Sequence, residues 1–202
     1  MKTIIVGSGR SVLDNKNGGK IDTFDTVIRF KGFEDNYHKF YEEAGSKTDI
    51  IAFNTNINTI RDLQEKLNNG YLDANFDLDT LFMTYTSKVS FRRGLRILKN
   101  WSFEVLTYPP IRKKVSRYVY TKDLSPLRRS LTSGLIVLMH VLMNKQKYGE
   151  IYVHGFDSVV RSKNLKGHYY ESGNPSFSSH NIDKESNVIQ SLIRENKVNL
   201  LE

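Results

Sequence analysis

Two histidines near the carboxyl end of the chain lie in a polar segment and could carry acid–base chemistry. They are His168 and His180, within GHYYESGNPSFSSHNIDKESN over residues 167–187. An imidazole titrates near neutral pH, so it can act as a general base or donate a hydrogen bond to a phosphate. Surface and structural histidines are more common than catalytic ones, so this segment is a candidate site that the rest of the chain must support.

The position of His180 suits a base that reaches a substrate. It precedes a predicted helix at residues 183–195, on an approach rich in Gly and Ser. Glu185 falls in the first turn of that helix, where a carboxylate also interacts favourably with the helix dipole. The apolar positions of the helix follow helical spacing and form its predicted core face: Val188, Ile189, Leu192 and Ile193.

A glycine-rich segment near the amino terminus is a second candidate site. The sequence IIVGSGRS, residues 4–11, reads as a strand that runs into Gly7 and Gly9, which would let the backbone approach a ligand closely. Val12 stands where the third glycine of the dinucleotide-binding fingerprint would be. A phosphate or nucleotide site and a simple tight turn are both open interpretations of this segment.

A strongly apolar segment, SLTSGLIVLMHVLM over residues 130–143, predicts a buried helix. Thr132 or Ser133 would cap its amino terminus, and the backbone amides there attract an anion or a polar ligand edge. A core helix with an ordinary cap explains the same residues. His140, inside the apolar stretch, is predicted to be a core histidine rather than a catalytic one.

The residue types do not predict a metal site. The chain has no cysteine, which excludes disulfides and thiolate ligands and fits a reducing compartment. Asp77 and Asp79 could bind a divalent cation, but they precede an apolar run and so lie at the entry end of a strand, away from the expected site. We interpret this pair as a solvated turn.

The elements that would position these residues alternate along the chain. Seven short apolar runs, each bounded by polar or turn residues, are typical of buried parallel strands, and helical patterns lie between several of them. We therefore predict a single Rossmann-like α/β domain over 1–202, with a mostly parallel sheet of about seven strands and helices on both faces. The predicted strands are 2–6, 26–30, 49–53, 80–84, 103–107, 150–154 and 197–201, and the predicted helices are 35–44, 57–67, 88–99, 133–145 and 183–195.

Ligands of such sheets bind beyond the carboxyl ends of the strands, which directs attention to the segments that follow each strand. These segments are GSGRS, KGF, NTN and GFDS. Residues 108–130 carry three of the four prolines and are predicted to form a mobile loop or lid.

The net charge of +8 restricts the classes of partner. Basic residues concentrate in 91–130, which would suit nucleic acid, an anionic membrane surface, an acidic substrate or simply a solvated surface. No zinc-ligand spacing or RNP-like aromatic pattern supports nucleic acid, which we do not expect as a partner. The amino terminus has no signal-peptide pattern, and the longest apolar run, 135–143, is far shorter than the roughly 20 residues of a spanning helix. We expect a cytoplasmic protein, with peripheral membrane association through 91–130 as a hypothesis.

Taken together, these segments resemble the sialylmotifs of glycosyltransferase family 29, the eukaryotic-type sialyltransferases. The four motifs occur in the family's order, which makes the set specific although each motif alone is weak. The long motif resembles residues 4–33 and continues into 45–54, the short motif resembles 131–157, the third motif resembles HYYE at 168–171, and the very short motif resembles His180 followed after four residues by Glu185.

The resemblance implies an inverting transfer of sialic acid from CMP-sialic acid to a hydroxyl of a glycan acceptor, with no metal and no other cofactor. It implies that His180 is the general base and that His168 stabilises the departing phosphate. The transition state is oxocarbenium-like, and one base with hydrogen-bonding groups on the phosphate can supply the catalysis. The implied substrate-binding residues are Ser8, Gly9, Lys31, Asn54, Thr132, Ser133, Gly134, Tyr169 and Glu185.

Several positions depart from the family pattern. Lys31 stands where the family usually has Asn, and Leu131-Thr132-Ser133-Gly134 replaces the usual Pro-Ser-Thr-Gly. The family's disulfide and Golgi anchor have no counterpart, so we expect a cytoplasmic relative of bacterial or viral type. Alternative hypotheses are a transferase for another CMP-activated keto-sugar such as Kdo, a catalytically silent CMP-binding module and, from another class, a basic nucleic-acid binder.

Overall fold

The computed structural model describes residues 1–54, 56–84, 103–106, 131–157 and 182–201. These residues build a seven-stranded sheet in which each pair of neighbouring strands is parallel, as the sequence predicts. The strands are β1 (Lys2–Val6), β2 (Thr26–Phe30), β3 (Ile50–Asn54), β4 (Thr80–Thr84), β5 (Phe103–Leu106), β6 (Glu150–His154) and β7 (Asn199–Leu200).

The strand order across the sheet is β5-β4-β3-β2-β1-β6-β7. The chain builds outward from β1 to β5 on one side and then returns to place β6 against the other side of β1. The order therefore reverses at β1. In an open parallel sheet, the crevice at the carboxyl ends of the strands beside such a reversal is the usual ligand site.

The described helices connect and cover these strands. They are α1 (Gly18–Ile21), α2 (Tyr41–Ala44), α3 (Ile57–Asn68), α4 (Tyr71–Asn75), α5 (Ser133–Met143), α6 (Lys145–Tyr148) and α7 (Ile182–Arg194), and short 3-10 turns lie at Arg10–Asp14, Phe33–Asp35 and Tyr37–Lys39.

Two hydrophobic cores lie on opposite faces of the sheet. Successive strand residues point to opposite faces, so Ile5 joins the core under α5 and α7, whereas Ile4 and Val6 join the core under α3. The strands are buried on both sides, which explains why they read as continuous apolar runs rather than as alternating patterns. Helices on both faces were predicted, and the two cores confirm that prediction.

One predicted helix is wrong in detail. Residues 35–44 form two short turns and α2 rather than a continuous helix, because Asn36 and Phe40 have φ values of −138° and −129° that interrupt helical geometry. The last strand is also shorter than predicted, since the chain remains in a turn at Asn196, with φ 53°, and the Lys197 N–H still bonds to the Leu192 carbonyl of α7.

Three other predictions fall outside the described residues: the helix at 88–99, the mobile loop at 108–130 and the basic region 91–130. Among the helices that the structure does describe, none has both the length and the apolar content to cross a membrane.

Candidate active site

The carboxyl ends of the central strands bring several predicted site residues to one edge of the sheet. Val6 on β1 is in register with Arg29 on β2, and two residues further along the chain, beyond the strand ends, come Ser8 and Lys31. Asn54 and Thr84 are register partners at the ends of β3 and β4.

The glycine-rich turn after β1 packs against the loop after β6. The Gly9 N–H donates to the Gly155 carbonyl at 2.8 Å. A Cβ on Gly9 would lie 2.4 Å from the Asp157 carboxylate and 2.6 Å from the Gly155 carbonyl oxygen, closer than real Cβ atoms approach other atoms. The sequence predicts that the backbone at Gly9 approaches a ligand closely. In the structure, this backbone instead approaches the loop after β6.

Asp157 is a site residue that sequence reasoning did not single out, although the segment GFDS contains it. Its carboxylate accepts the Ser11 N–H at 3.1 and 3.3 Å. Ser11 lies in the 3-10 turn that begins at Arg10, so a carboxylate of the protein already occupies the anion-binding end of that turn. The Ser11 amide that the glycine-rich segment could have offered to a phosphate is thus engaged by Asp157.

The amino terminus of α5 lies at the same edge and is capped as the sequence predicts. Thr132 is the N-cap residue, and its Oγ1 accepts the Leu135 N–H at 3.2 Å. The Ile136 N–H donates to the Thr132 carbonyl at 3.1 Å, as the first hydrogen bond of the helix. The N–H groups of Ser133 and Gly134 have no acceptor within the helix, which is the usual condition for anion binding at a helix end.

Glu185 fixes this helix end from the opposite side. The residue is only 3% exposed. One carboxylate oxygen accepts the Thr132 N–H at 2.9 Å, and the other accepts the Thr132 hydroxyl. The Thr132 hydroxyl thus donates to Glu185 while its oxygen accepts from Leu135. The sequence suggested a substrate-binding role for Glu185, and in the structure its carboxylate binds the cap of α5.

Ser133 is held by a second hydroxyl that the sequence did not identify. Its Oγ lies 3.2 Å from Oγ1 of Thr84, the last residue of β4. Thr84 is completely buried and donates its own proton to the Phe53 carbonyl at 3.0 Å, so in this pair Ser133 must be the donor. A Cβ on the next helix residue, Gly134, would lie 3.2 Å from the ring of Phe156.

Lys31 lies at the carboxyl edge but its ammonium turns toward α3. The Lys31 Nζ is 2.8 Å from Oδ2 of Asp62, a residue of that helix. Asn54 is exposed, and its side-chain oxygen accepts the Asn56 N–H at 3.0 Å. Lys31 and Asn54 therefore lie at the same edge of the sheet as the α5 cap, and the side chains engage Asp62 and the Asn56 N–H respectively.

Arg29, in the long-motif segment, is a structural residue rather than an exposed ligand. It is 1% exposed, and its guanidinium donates to the carbonyls of Lys47 and Ala44 at 3.0 and 2.7 Å. The same group lies 4.2 Å from the centroid of the Phe33 ring. Arg29 thereby ties β2 to the chain between α2 and β3.

The two described histidines of the apolar segments are buried to different degrees: His140 is partly buried, and its Nε2 lies 3.2 Å from Oε1 of Glu104. His140 packs edge-on against Phe82 at the end of α5 away from the cap, and burial lowers its pKa. His154, the last residue of β6, is 6% exposed, and burial lowers its pKa as well. The packing of His140 on Phe82 fits the predicted core histidine, but its position is at the edge of that core, where the ring also faces Glu104.

The predicted catalytic residues His180 and His168, and Tyr169, lie outside the described residues. Asp77 and Asp79 precede β4 and so lie at the opposite edge of the sheet from the α5 cap, as predicted. In the part of the chain that the structure covers, no three acidic or histidine side chains form a group that could hold a metal ion.

Comparison with known families gives one match that covers nearly the whole chain. The sequence matches the family described as glycosyltransferase family 29 (sialyltransferase) over residues 1–197. No curated protein sequence is significantly similar to the chain.

Solved structures of sialyltransferases share the fold. A mammalian sialyltransferase superposes with a TM-score of 0.56 at 18% identity, covering 99% of this chain and 68% of that protein. The sialyltransferase CstII from Campylobacter jejuni, in complex with the substrate analogue CMP-3FNeuAc, gives a TM-score of 0.64 at 15% identity, with 98% and 79% covered. CST-II in complex with a trisaccharide acceptor and CMP gives 0.65 at 14% identity, with 99% and 79% covered. At these identities the likeness establishes the fold.

Proposed function

The chain belongs to glycosyltransferase family 29, the sialyltransferases, and on that basis we propose that it transfers sialic acid from CMP-sialic acid to a hydroxyl group of a glycan acceptor. The observation that carries the proposal is the family match over residues 1–197, combined with the capped helix end at the carboxyl edge of the sheet. Structural neighbours in complex with CMP and with an acceptor support a CMP-sugar donor and a glycan acceptor.

The donor phosphate would bind at the amino terminus of α5. The N–H groups of Ser133 and Gly134 point out of the first turn, and the helix dipole favours an anion there. Thr132 does not depend on a ligand to satisfy its polar groups, because Glu185 already binds both its N–H and its hydroxyl. This arrangement holds the helix end in a fixed position before the donor arrives, which reduces the free-energy cost of binding.

The remaining substrate contacts would come from the ends of the neighbouring strands and from the segment before α7. Ser8 and Gly9 follow β1, Asn54 ends β3, and Lys31 follows β2. Tyr169 completes the proposed substrate-binding set.

The proposed chemistry is a single displacement with inversion. The acceptor oxygen attacks the anomeric carbon of sialic acid from the face opposite CMP, and the bond from that carbon to the phosphate oxygen breaks. His180 takes the proton of the acceptor hydroxyl, while CMP departs with the bonding electron pair. A hydrogen bond from His168 stabilises the phosphate as charge develops on it, so no metal ion is required.

Lys31, a departure from the family pattern, leaves a second candidate donor open within the same chemistry. It stands where the family usually has Asn, so the anionic part of the donor would meet a cation here. A transferase for CMP-Kdo would use the same anomeric and carboxylate chemistry with a different sugar tail.

The test is release of CMP from CMP-sialic acid and from CMP-Kdo in the presence of a panel of glycan acceptors. We expect release from CMP-sialic acid that is abolished in His180→Ala, while that variant keeps CMP affinity within a few fold of the native chain. Unchanged turnover in His180→Ala would remove this residue as the base. CMP binding without turnover of either donor across the panel would instead indicate a silent binding module.

Metal independence is checked in the same assay. We expect full activity in excess EDTA. Activity lost on chelation and restored by Mg²⁺ would contradict the proposed mechanism and return attention to acidic residues such as Asp77 and Asp79.

A further inference from the structure

An ion pair joins the carboxyl end of β2 to the side of α3. The Lys31 Nζ lies 2.8 Å from Asp62 Oδ2, and the side chains are 21% and 42% exposed. Burial alone would raise the pKa of Asp62, but Lys31 and Lys66 outweigh it and lower this pKa below its usual range. Asp62 is therefore an anion that faces Lys31 at neutral pH.

Lys66 does not depend on Asp62 as its ion-pair partner. Lys66 lies 3.2 Å from the same Asp62 oxygen, but it also pairs with the fully buried Glu34 at 2.9 Å and with Asp35. Burial alone would lower the pKa of Lys66, but these two carboxylates outweigh it and raise the pKa well above its usual range. Removing the charge of Asp62 thus leaves Lys66 with two anionic partners, whereas Lys31 loses its ion pair with Asp62.

The location of the pair connects it to the proposed donor site. The Lys31 N–H donates to the Ala52 carbonyl at 2.9 Å, so Lys31 continues the parallel pairing beyond the end of β2. It follows β2 at the same edge where Ser8 follows β1 and Asn54 ends β3. An ammonium at this edge can reach toward an anion above the sheet, because a lysine side chain is long and flexible.

We propose that Asp62 tunes donor affinity by competing with the donor for Lys31. In the ligand-free protein Asp62 holds the ammonium against α3, and an anionic oxygen of the donor, from its phosphate or its carboxylate, takes the ammonium over on binding. The free energy of donor binding then contains the difference between the Lys31–donor and Lys31–Asp62 ion pairs. Asp62 therefore lowers donor affinity. This inference rests on the proposed function, because it assumes a CMP-linked donor at this edge.

The test is CMP binding measured by titration calorimetry on the full chain. We expect Asp62→Asn to bind CMP about two- to fivefold more tightly, because a partly exposed ion pair of this kind no longer competes. Glu65→Gln is the matched control, since it removes the same charge from an exposed position of α3 and should leave affinity unchanged. Lys31→Met should bind CMP about tenfold more weakly, as expected for loss of a charge-assisted contact.

A double-mutant cycle separates direct competition from a general field effect. If Asp62 acts through Lys31, Asp62→Asn must give no gain in the Lys31→Met background. A gain of equal size in both backgrounds would overturn the proposal. Thermal unfolding of each variant checks that the fold is retained, and a Lys31→Asn variant repeats the cycle if Lys31→Met does not fold.

Binding of cytidine, CMP and the intact CMP-sugar identifies which anionic group of the donor Lys31 contacts. A gain with CMP but not with cytidine assigns Lys31 to the phosphate, and a gain that appears only with the intact CMP-sugar assigns it to the carboxylate. A gain that is equal for cytidine contradicts charge competition. If neither the native chain nor any variant binds CMP or the CMP-sugar, the proposed function itself fails. If the native chain binds them but Asp62→Asn changes the affinity for none of the three ligands, only this inference is overturned.

Discussion

The carboxylate of Glu185 accepts two hydrogen bonds from Thr132, one from its backbone N–H and one from its hydroxyl. The two residues are 53 positions apart in the sequence. Thr132 caps α5, whereas Glu185 lies in the first turn of α7, so this contact joins the amino termini of the two helices. In the sequence, α7 begins at Ile182, two residues after His180.

Glu185→Ala should reduce both stability and turnover. It removes two hydrogen bonds and leaves polar groups of Thr132 without a buried partner, which should lower the free energy of unfolding by about 2–4 kcal/mol. Because Glu185 holds the cap of α5, where the donor phosphate is proposed to bind, we expect CMP affinity to fall as well as kcat. Denaturant unfolding and the CMP-release assay measure these effects separately.

Glu195→Ala is the control for this experiment, since Glu195 is partly exposed and pairs only with Lys197 among the described residues. It should change stability by less than about 1 kcal/mol. Glu185→Gln retains a carbonyl oxygen that can accept one of the two bonds, so partial recovery is expected. Equal losses for Glu185→Ala and Glu195→Ala would refute the role assigned to Glu185.

Gly9→Ala should destabilise the contact between the loops after β1 and β6. The new methyl group would overlap the Asp157 carboxylate and the Gly155 carbonyl oxygen, and the latter is backbone that cannot swing away. We expect a loss of about 1–3 kcal/mol in the free energy of unfolding, together with weaker CMP binding. Gly19→Ala in α1 is the matched control, because a Cβ there meets nothing within 4 Å and should be neutral or stabilising.

The sequence predicted the strands well because their burial on both faces leaves a strong local pattern. The start of α5 was also predictable, since Thr132 and Ser133 are typical caps before an apolar run. The hydrogen-bond partners of the polar side chains could not be predicted. A local pattern indicates that Glu185 lies in a first turn, but it cannot show that the carboxylate binds Thr132 rather than a ligand, because that depends on how two distant helices pack.

Thr84 and the interruption of the helix at 35–44 could not be predicted for the same reason. Thr84 reads as an ordinary strand residue, and its contact with Ser133 spans 49 positions. Residues 35–44 carry a helical pattern, yet the chain turns at Asn36 and Phe40. In the folded chain this stretch has to bring the Ala44 carbonyl to the buried guanidinium of Arg29, which is a tertiary requirement that local propensity does not contain.

Thr84→Val tests the role of the missed hydroxyl. Valine keeps the shape of threonine but cannot donate to the Phe53 carbonyl or accept from Ser133. We expect a loss of about 1–2 kcal/mol in stability and a higher KM for the CMP-sugar, because Ser133 at the proposed phosphate site loses its orientation. Thr84→Ser should restore most of both. A KM that is unchanged in Thr84→Val would show that Ser133 needs no support from β4.

Stability should also depend on pH through His154. Its Nδ1 is 3.3 Å from the Leu201 carbonyl, and burial, with Arg29 nearby, lowers its pKa below the ordinary value of 6.5. The unfolded chain therefore takes up a proton at a pH where the folded chain does not. This contribution is fully present above about pH 7.5, and it is lost as the pH falls from 6.5 toward the folded pKa, at up to about 1.4 kcal/mol per pH unit.

His154→Asn isolates this contribution, because its amide can still donate near the Nδ1 position but cannot be protonated. We expect the unfolding free energy of the native chain to fall more steeply than that of His154→Asn when urea unfolding is compared between pH 7.5 and pH 5. His38→Asn, at an exposed turn, controls for the removal of an imidazole. Since all other titrating groups are shared, the difference between native and His154→Asn measures His154 alone, and parallel pH profiles would mean that the buried imidazole accepts its proton without cost.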